Sequence, residues 1–178
     1  MSTHDPRSAL LRARVRDVPD FPKPGILFRD LTPLMGDGAA MRICIDMLAE
    51  RVVHHRPEVI VAVESRGFIF GAPVATALGV GFAPVRKPGK LPFRTKRRTY
   101  DLEYGTDSLE MHADAVVEGA RVVIVDDLLA TGGTAAATIG LVRDIGGRVA
   151  CASFVVELGL LEGRGRLHGV PVESLLVY

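Results

Sequence analysis

"VVIVDDLLATGGT", residues 122–134, decides how this chain folds. Four apolar residues, Val122 to Val125, have the branching and length of a buried strand. They run into two adjacent acids, Asp126 and Asp127, then a short apolar stretch, then Thr131, Gly132, Gly133 and Thr134. In an open α/β sheet, ligands gather beyond the carboxyl ends of the strands, and the acid pair stands at such an end. The residues from Thr131 to Thr134 then open a helix, whose unpaired backbone N–H groups suit an anion. Glycines let the backbone approach, and the threonine hydroxyls add donors. No lysine follows the glycines, so this is not a Walker loop. The plain alternative is a strand, a turn and a threonine cap. Adjacent carboxylates at a buried strand end weigh against it, because their burial is costly unless a ligand or cation offsets it. Carboxylates repel phosphates. Both features share a site only if a cation joins them or each holds a different part of one ligand.

Strands and helices alternate on either side of this stretch. "EVIVAVE" (58–64), "VGFAPV" (80–85), "RVACASFVVE" (148–157) and "VESLLVY" (172–178) read as further strands, and 67–79 and 134–145 as helices. Near-continuous apolar strands joined by helices indicate a mainly parallel sheet covered on both faces, a doubly wound α/β fold. Residues 38–53 suit an amphipathic helix, with Met41, Ile45, Leu48 and Val52 at helical spacing, and 7–18 suit another. "TYDLEYGTDSLEMH" (99–112) reads as an inserted β-hairpin around its Gly-Thr-Asp. The length of 178 residues favours a single domain, 1–178.

Composition excludes little but locates charge. Hydrophobic residues make up 48% and the net charge is +1, so nothing general argues for a nucleic-acid partner. Seven of the bases fall between Arg86 and Arg98 with no acid among them, which leaves the remainder at −6. Residues 68–85 form an uncharged run of 18, at the lower limit for a membrane span, but five glycines and prolines interrupt it. A buried helix followed by a buried strand is the expectation. Cys44 and Cys151 lie in apolar surroundings and outside any CxxC pair, as buried thiols in a reducing compartment would. No signal peptide is evident, and a cytoplasmic location is expected. The histidines show no metal-ligand spacing.

Three more stretches carry chemistry. "ESRGFIFG" (64–71) follows a strand, with Ser65 and Arg66 before a permissive Gly67. A salt-bridged turn is its plain reading. "RKPGKLPFRTKRR" (86–98) is a basic loop. Arg86, Lys87 and Lys90 follow the strand end directly, and Pro88, Gly89 and Pro92 suit a lid that closes over substrate. With Phe93 its lone aromatic, the loop makes a poor stacking platform for nucleic acid. "FPKPGILFRDLTPL" (21–34) reads by itself as an extended arm.

The acid pair with "ATGGT" resembles the phosphoribosyl pyrophosphate (PRPP) motif of the type I phosphoribosyltransferases. Together with "FPKPGILFRDLTPL", "ESRGFIFGAPVA", "VRKPGKLP" and "LEYGTD", it resembles the adenine-specific branch over about residues 15–178. The resemblance implies that Asp126 and Asp127 hold the ribose hydroxyls while Ala130, Thr131, Gly132, Gly133 and Thr134 cradle the 5′-phosphate. It assigns the pyrophosphate to Ser65, Arg66, Lys87 and Lys90, and implies a cis peptide, expected between Ser65 and Arg66. It makes 15–36 a small hood in which Leu27 and Arg29 read the adenine edge and Phe28 stacks on the ring. It makes 86–112 a lid loop and hairpin, on which Glu103 handles the proton of the base and Tyr104 faces the ligand. Arg66, Lys87 and Glu103 are then the catalytic candidates.

The implied reaction joins adenine and PRPP to give AMP and pyrophosphate in purine salvage. Mg²⁺ would be carried by PRPP, with no metal site made by protein alone. The implied assembly is a homodimer; neither nucleic acid nor membrane is an expected partner. A phosphoribosyltransferase for another purine would keep 122–134 and differ in 21–34. A PRPP-sensing regulator without turnover would need a DNA-binding module, for which 178 residues leave little room.

Overall fold

The computed structural model describes residues 5–101 and 105–178. The chain forms two compact units, Met1–Met47 and Leu48–Tyr178.

The first unit begins with helix α1 (Pro6–Arg12), capped by the Asp5 side chain. The expected helix over 7–18 is therefore cut short. From Arg16 the chain is strand β1 (Arg16–Pro19), which pairs antiparallel with β2 (Leu27–Asp30). Long-range pairing overrides local helix propensity here. Arg16 lies opposite Asp30 and Asp17 opposite Arg29, and each pair is an ion pair across the strands. The expected extended arm at 21–34 thus contributes one strand of a hairpin and then the short helix α2 (Thr32–Gly36). Helix α3 (Gly38–Val52) follows, with Ile45, Leu48 and Val52 buried as their spacing requires.

The second unit holds a five-stranded parallel sheet, made of β3 (Val59–Val63), β4 (Gly81–Val85), β7 (Arg121–Leu129), β8 (Arg148–Glu157) and β9 (Val172–Val177), in the order β4-β3-β7-β8-β9. Between β4 and β7 the chain makes the antiparallel hairpin of β5 (Thr95–Asp101) and β6 (Thr106–His112). Helix α4 (Arg66–Leu78) links β3 to β4, and α5 (Gly133–Asp144) links β7 to β8. The two connections run in opposite directions along the sheet, so right-handed crossovers place the helices on opposite faces. This is the doubly wound α/β fold that the strand pattern implied. Helix α4 buries Gly67, Phe70, Gly71, Val74 and Ala75, a stripe at helical spacing. Helix α5 is buried nearly all round, because the sheet covers one side and β5 covers another.

Strand order reverses between β3 and β7, and a ligand crevice belongs at such a switch point. The pairing explains how it opens. Strand β3 accompanies β7 as far as Ala62 opposite Val125, whereas β8 continues to Glu157 opposite Leu129. Asp126 and Asp127 therefore lie inside a strand that has lost one neighbour, not beyond its end. The hairpin also begins earlier than its alternation suggested, at Thr95. Among the described residues, no helix is long and apolar enough to cross a membrane. The uncharged run at 68–85 divides between α4 and β4.

Candidate active site

A cavity of about 360 Å³ lies at the switch point. Val63, Glu64, Ser65 and Arg66 line it from the β3–α4 turn, and the continuous run Asp126–Ala135 lines the other side. Ser65, Arg66, Asp126, Asp127, Ala130, Thr131, Gly132, Gly133 and Thr134 are thus brought together. The β3–α4 turn holds a cis non-proline peptide, between Glu64 and Ser65. That is one residue before the expected Ser65–Arg66 bond.

The acid pair is held by its own backbone and by one cation. The Asp127 N–H donates to Asp126 Oδ1 at 2.9 Å, and Arg66 Nε donates to Asp127 Oδ2. Burial, then the charge of Asp127, pushes the Asp126 carboxyl well above the usual carboxylate range. Gly67 makes the close placement possible, since a Cβ there would stand 2.6 Å from Asp126 Oδ1. The loop from Thr131 to Thr134 is built just as tightly. Gly132 adopts φ +82°, and a Cβ on it would come within 2.4 Å of the Gly163 carbonyl oxygen. Gly163 in turn lies against the Ala130 carbonyl.

The turn carrying Gly163 is anchored from below. Arg164 donates through Nε and Nη2 to the Glu157 carboxylate at 2.5 and 2.7 Å, and through Nη1 to the Val172 carbonyl at 2.9 Å. Ser174 Oγ adds a 2.6 Å bond to the same carboxylate. Sequence reasoning missed this support. The cluster of glycines in "LEGRGRLHG" was the available signal for a close backbone crossing.

Lys87 and Lys90 do not line the cavity and reach it through acids. Lys90 and Arg86 both pair with Glu64, at 3.2 and 2.7 Å. Burial pushes the Glu64 carboxyl up, but the hydrogen bonds from Arg86 and Lys90 outweigh it and hold the group below its ordinary value. Lys87 pairs with Asp107, whose carboxyl it holds low. Asp107 also accepts from the Tyr100 hydroxyl at 3.2 Å, and Tyr100 lies 3.2 Å from Thr134 Oγ1. The more distal bases are engaged elsewhere. Arg97 pairs with the buried Glu110 at 2.6 Å, and Arg98 with Asp144 at 3.0 Å. Glu110 also accepts from the Gly89 N–H at 3.0 Å, which ties the 86–94 loop to the hairpin.

Glu103 and Tyr104 lie outside the described residues. Leu27, Phe28 and Arg29 sit on β2 of the first unit; Phe28 packs edge-on against Phe21 at 5.2 Å, and Arg29 pairs with Asp17. Cys44 and Cys151 are buried free thiols, each pushed up to about 12 by burial. Away from the cavity, His54, His55 and Glu173 converge, a grouping that residue spacing did not reveal. The two rings lie tilted against each other with centroids 3.9 Å apart, and Arg51 already neighbours Glu173 at 3.7 Å.

Comparison with known proteins agrees with this arrangement. Residues 36–166 match the family described as phosphoribosyl transferase domain. The adenine phosphoribosyltransferase of Desulfitobacterium hafniense (strain Y51) is 58% identical over 92% of this chain and 95% of its own. That of Methylococcus capsulatus (strain ATCC 33009 / NCIMB 11132 / Bath) is 57% identical over 94% of this chain and 98% of its own. The crystal structure of adenine phosphoribosyltransferase from Thermoanaerobacter pseudethanolicus superposes with a TM-score of 0.93 at 53% identity, covering 96% of this chain and 99% of that one. The Saccharomyces cerevisiae enzyme, complexed with an imino-altritol bisphosphate and adenine, gives a TM-score of 0.90 at 41% identity, covering 96% and 98%. With a cavity that sets an acid pair beside a glycine-built loop, and with relatives of this closeness along nearly its whole length, the chain belongs to the type I phosphoribosyltransferases, in their adenine phosphoribosyltransferase branch.

Proposed function

We propose that the chain transfers the 5-phosphoribosyl group of PRPP to adenine, giving AMP and pyrophosphate. The observation that carries this reading is one cavity lined by Asp126, Asp127 and the Thr131–Thr134 loop, with Arg66 at its wall. Two carboxylates accept from vicinal ribose hydroxyls, and backbone N–H groups at the start of α5 bind the 5′-phosphate. Held at both points, the sugar presents C1′ in a fixed direction, which removes much of the entropic cost of reaction.

The reaction displaces pyrophosphate from C1′ by adenine N9 through an oxocarbenium-like state. Negative charge develops on the leaving group, so cations aimed there lower the barrier. Arg66, Lys87 and Lys90 are assigned that work. Each is paired with an acid of the chain, so the arriving pyrophosphate must compete with Asp127, Asp107 and Glu64. Mg²⁺ bound to PRPP would supply further charge neutralisation at the leaving oxygens. Asp126 and Asp127 would offer that hard cation oxygen donors, while the substrate would supply most of its ligands.

Phe28 is assigned to stack on adenine, with Leu27 and Arg29 reading its edge through their backbone groups. Glu103 is assigned to the proton of the base and Tyr104 to the lid side of the ligand. These roles and a homodimer come from the family likeness; a single functional domain over 1–178 rests on the chain's length, and a cytoplasmic location suits its two buried free thiols.

AMP formation from adenine, PRPP and Mg²⁺, with hypoxanthine and guanine as controls, tests the reaction and the base together. Adenine turnover well above both controls is the expected result. A preference for hypoxanthine or guanine would move the chain to another purine, and DNA binding without turnover would make it a regulator. Glu103→Gln is expected to lower kcat by roughly 10²-fold or more while changing the KM for PRPP little. An unchanged kcat would remove Glu103 from the chemistry.

A further inference from the structure

Resting on the phosphoribosyl-transfer reading above, we infer that Tyr100 and Asp107 are positioning residues for PRPP, which couple the pyrophosphate cation Lys87 to the 5′-phosphate loop. The two residues face each other directly across the hairpin. Side chains in that relation share a face of the ribbon. Asp107 Oδ2 accepts from Lys87 Nζ and, at 3.2 Å, from the Tyr100 hydroxyl. Its other oxygen accepts from the Ser108 N–H at 2.8 Å, which fixes the carboxylate. The Tyr100 hydroxyl also lies 3.2 Å from Thr134 Oγ1, the last donor of the anion loop. An unbroken line, Lys87–Asp107–Tyr100–Thr134, therefore joins two groups that grip opposite ends of PRPP.

Each hydroxyl in that line has one hydrogen. Tyr100 gives its hydrogen to Asp107, so its contact with Thr134 is a hydrogen bond only when Thr134 gives its own to Tyr100. Thr134 then has none left for a phosphate. When the 5′-phosphate claims the Thr134 hydrogen, Tyr100 can turn its own toward Thr134 and leave Asp107. Asp107 loses one donor at the moment the pyrophosphate draws on the other, Lys87. Rotation of one phenol hydrogen thus links the two ends of the substrate. Tyr100 is suited to this because it is half-buried against the core, and burial raises its pKa and keeps the phenol protonated.

The test is a steady-state comparison of Tyr100→Phe, Thr134→Val, the double variant and Asp107→Asn with the wild type, for both substrates. Phenylalanine keeps the packing and removes both hydrogen bonds. Tyr100→Phe is expected to raise the KM for PRPP about three- to tenfold, the size of one net hydrogen bond, with the KM for adenine and kcat little changed. The double variant is expected to cost no more than Thr134→Val alone, because the two residues act as one unit. Asp107→Asn removes a competitor for Lys87 but also the carboxylate that aims Lys87 and accepts from Tyr100; the loss of aim is expected to dominate and to raise the KM for PRPP too. An unchanged KM for PRPP in Tyr100→Phe, an equal rise for both substrates or an additive double variant would overturn the inference. If Tyr100→Phe does not fold, a KM for PRPP at or below wild type in Asp107→Asn overturns it. Failure of the wild type to form AMP would instead overturn the reaction itself, and this inference with it.

Discussion

Asp126 stands against the first turn of α4, close enough that Gly67 could carry no side chain there. Burial and the neighbouring Asp127 raise its pKa. An acid with a raised folded pKa is held protonated by the fold, so stability falls as pH climbs from the ordinary carboxylate value through the raised one. Asp126→Asn removes that penalty and keeps an acceptor for the Asp127 N–H. The variant should melt above wild type at about pH 8, by roughly 2–4 °C per kcal/mol relieved in a chain of this size, with the gap closing near pH 4. Its affinity for PRPP should fall about tenfold or more, because the carboxyl can ionise when it meets the ribose hydroxyls and the amide cannot. Melting and calorimetry across that range decide it; a gap that does not depend on pH would show that Asp126 carries no such penalty. The acid pair and Thr131–Thr134 were legible in the sequence because they are contiguous and their chemistry is local. Asp107 and Tyr100 were not. Their partners, Lys87 and Thr134, lie 20 and 34 positions away, and nothing in the local pattern announces either pairing.

Among the elements, the parallel strands were legible because each is an apolar run of strand length, and α4 and α5 because glycines follow both. The β1–β2 hairpin was not, since its cross-strand charge pairs join residues twelve to fourteen apart and show only once the register is known. The basic run Arg94–Arg98 hid the start of β5 in the same way. Its alternation makes sense only beside β6, where Arg97 faces Glu110. The turn over 159–166 was not legible either, and it packs directly on the Ala130–Thr134 loop. It presses Gly163 against Ala130 and Gly132, and Arg164 holds it down on β8 and β9. Gly163→Ala would place a Cβ 2.1 Å from the Ala130 carbonyl oxygen, so the turn and the anion loop must part. The expected cost is about 1–3 kcal/mol of stability, with PRPP binding weakened by roughly tenfold or more. Denaturant unfolding measures the first effect and calorimetry the second. Wild-type PRPP affinity in this variant would mean that the loop does not depend on the turn.

Across the whole molecule, the charge asymmetry of the sequence resolves into a distributed pairing. Arg86, Lys87, Lys90, Arg97 and Arg98 meet Glu64, Asp107, Glu110 and Asp144, which come from the β3–α4 turn, β6 and α5. The segment 86–98 is thus held by acids rather than by an apolar core of its own, a fastening that suits the lid expected from its sequence. Glu64, Asp107, Glu110 and Asp144 all have lowered pKa values. Acids of that kind contribute stability that is fully present above their unfolded values, near pH 4, and lost as pH falls through the folded ones. The lid should therefore loosen in acid before the sheet does, whose strands are joined by backbone bonds that do not titrate. Hydrogen exchange, corrected for intrinsic rates, should show the Gly89 amide losing protection below about pH 4 while β7 amides keep theirs. Glu110→Gln should reproduce that loss at neutral pH, since Gly89 and Arg97 share this carboxylate. Simultaneous loss in lid and sheet would mean that the acids stabilise the fold as one unit rather than latching the lid.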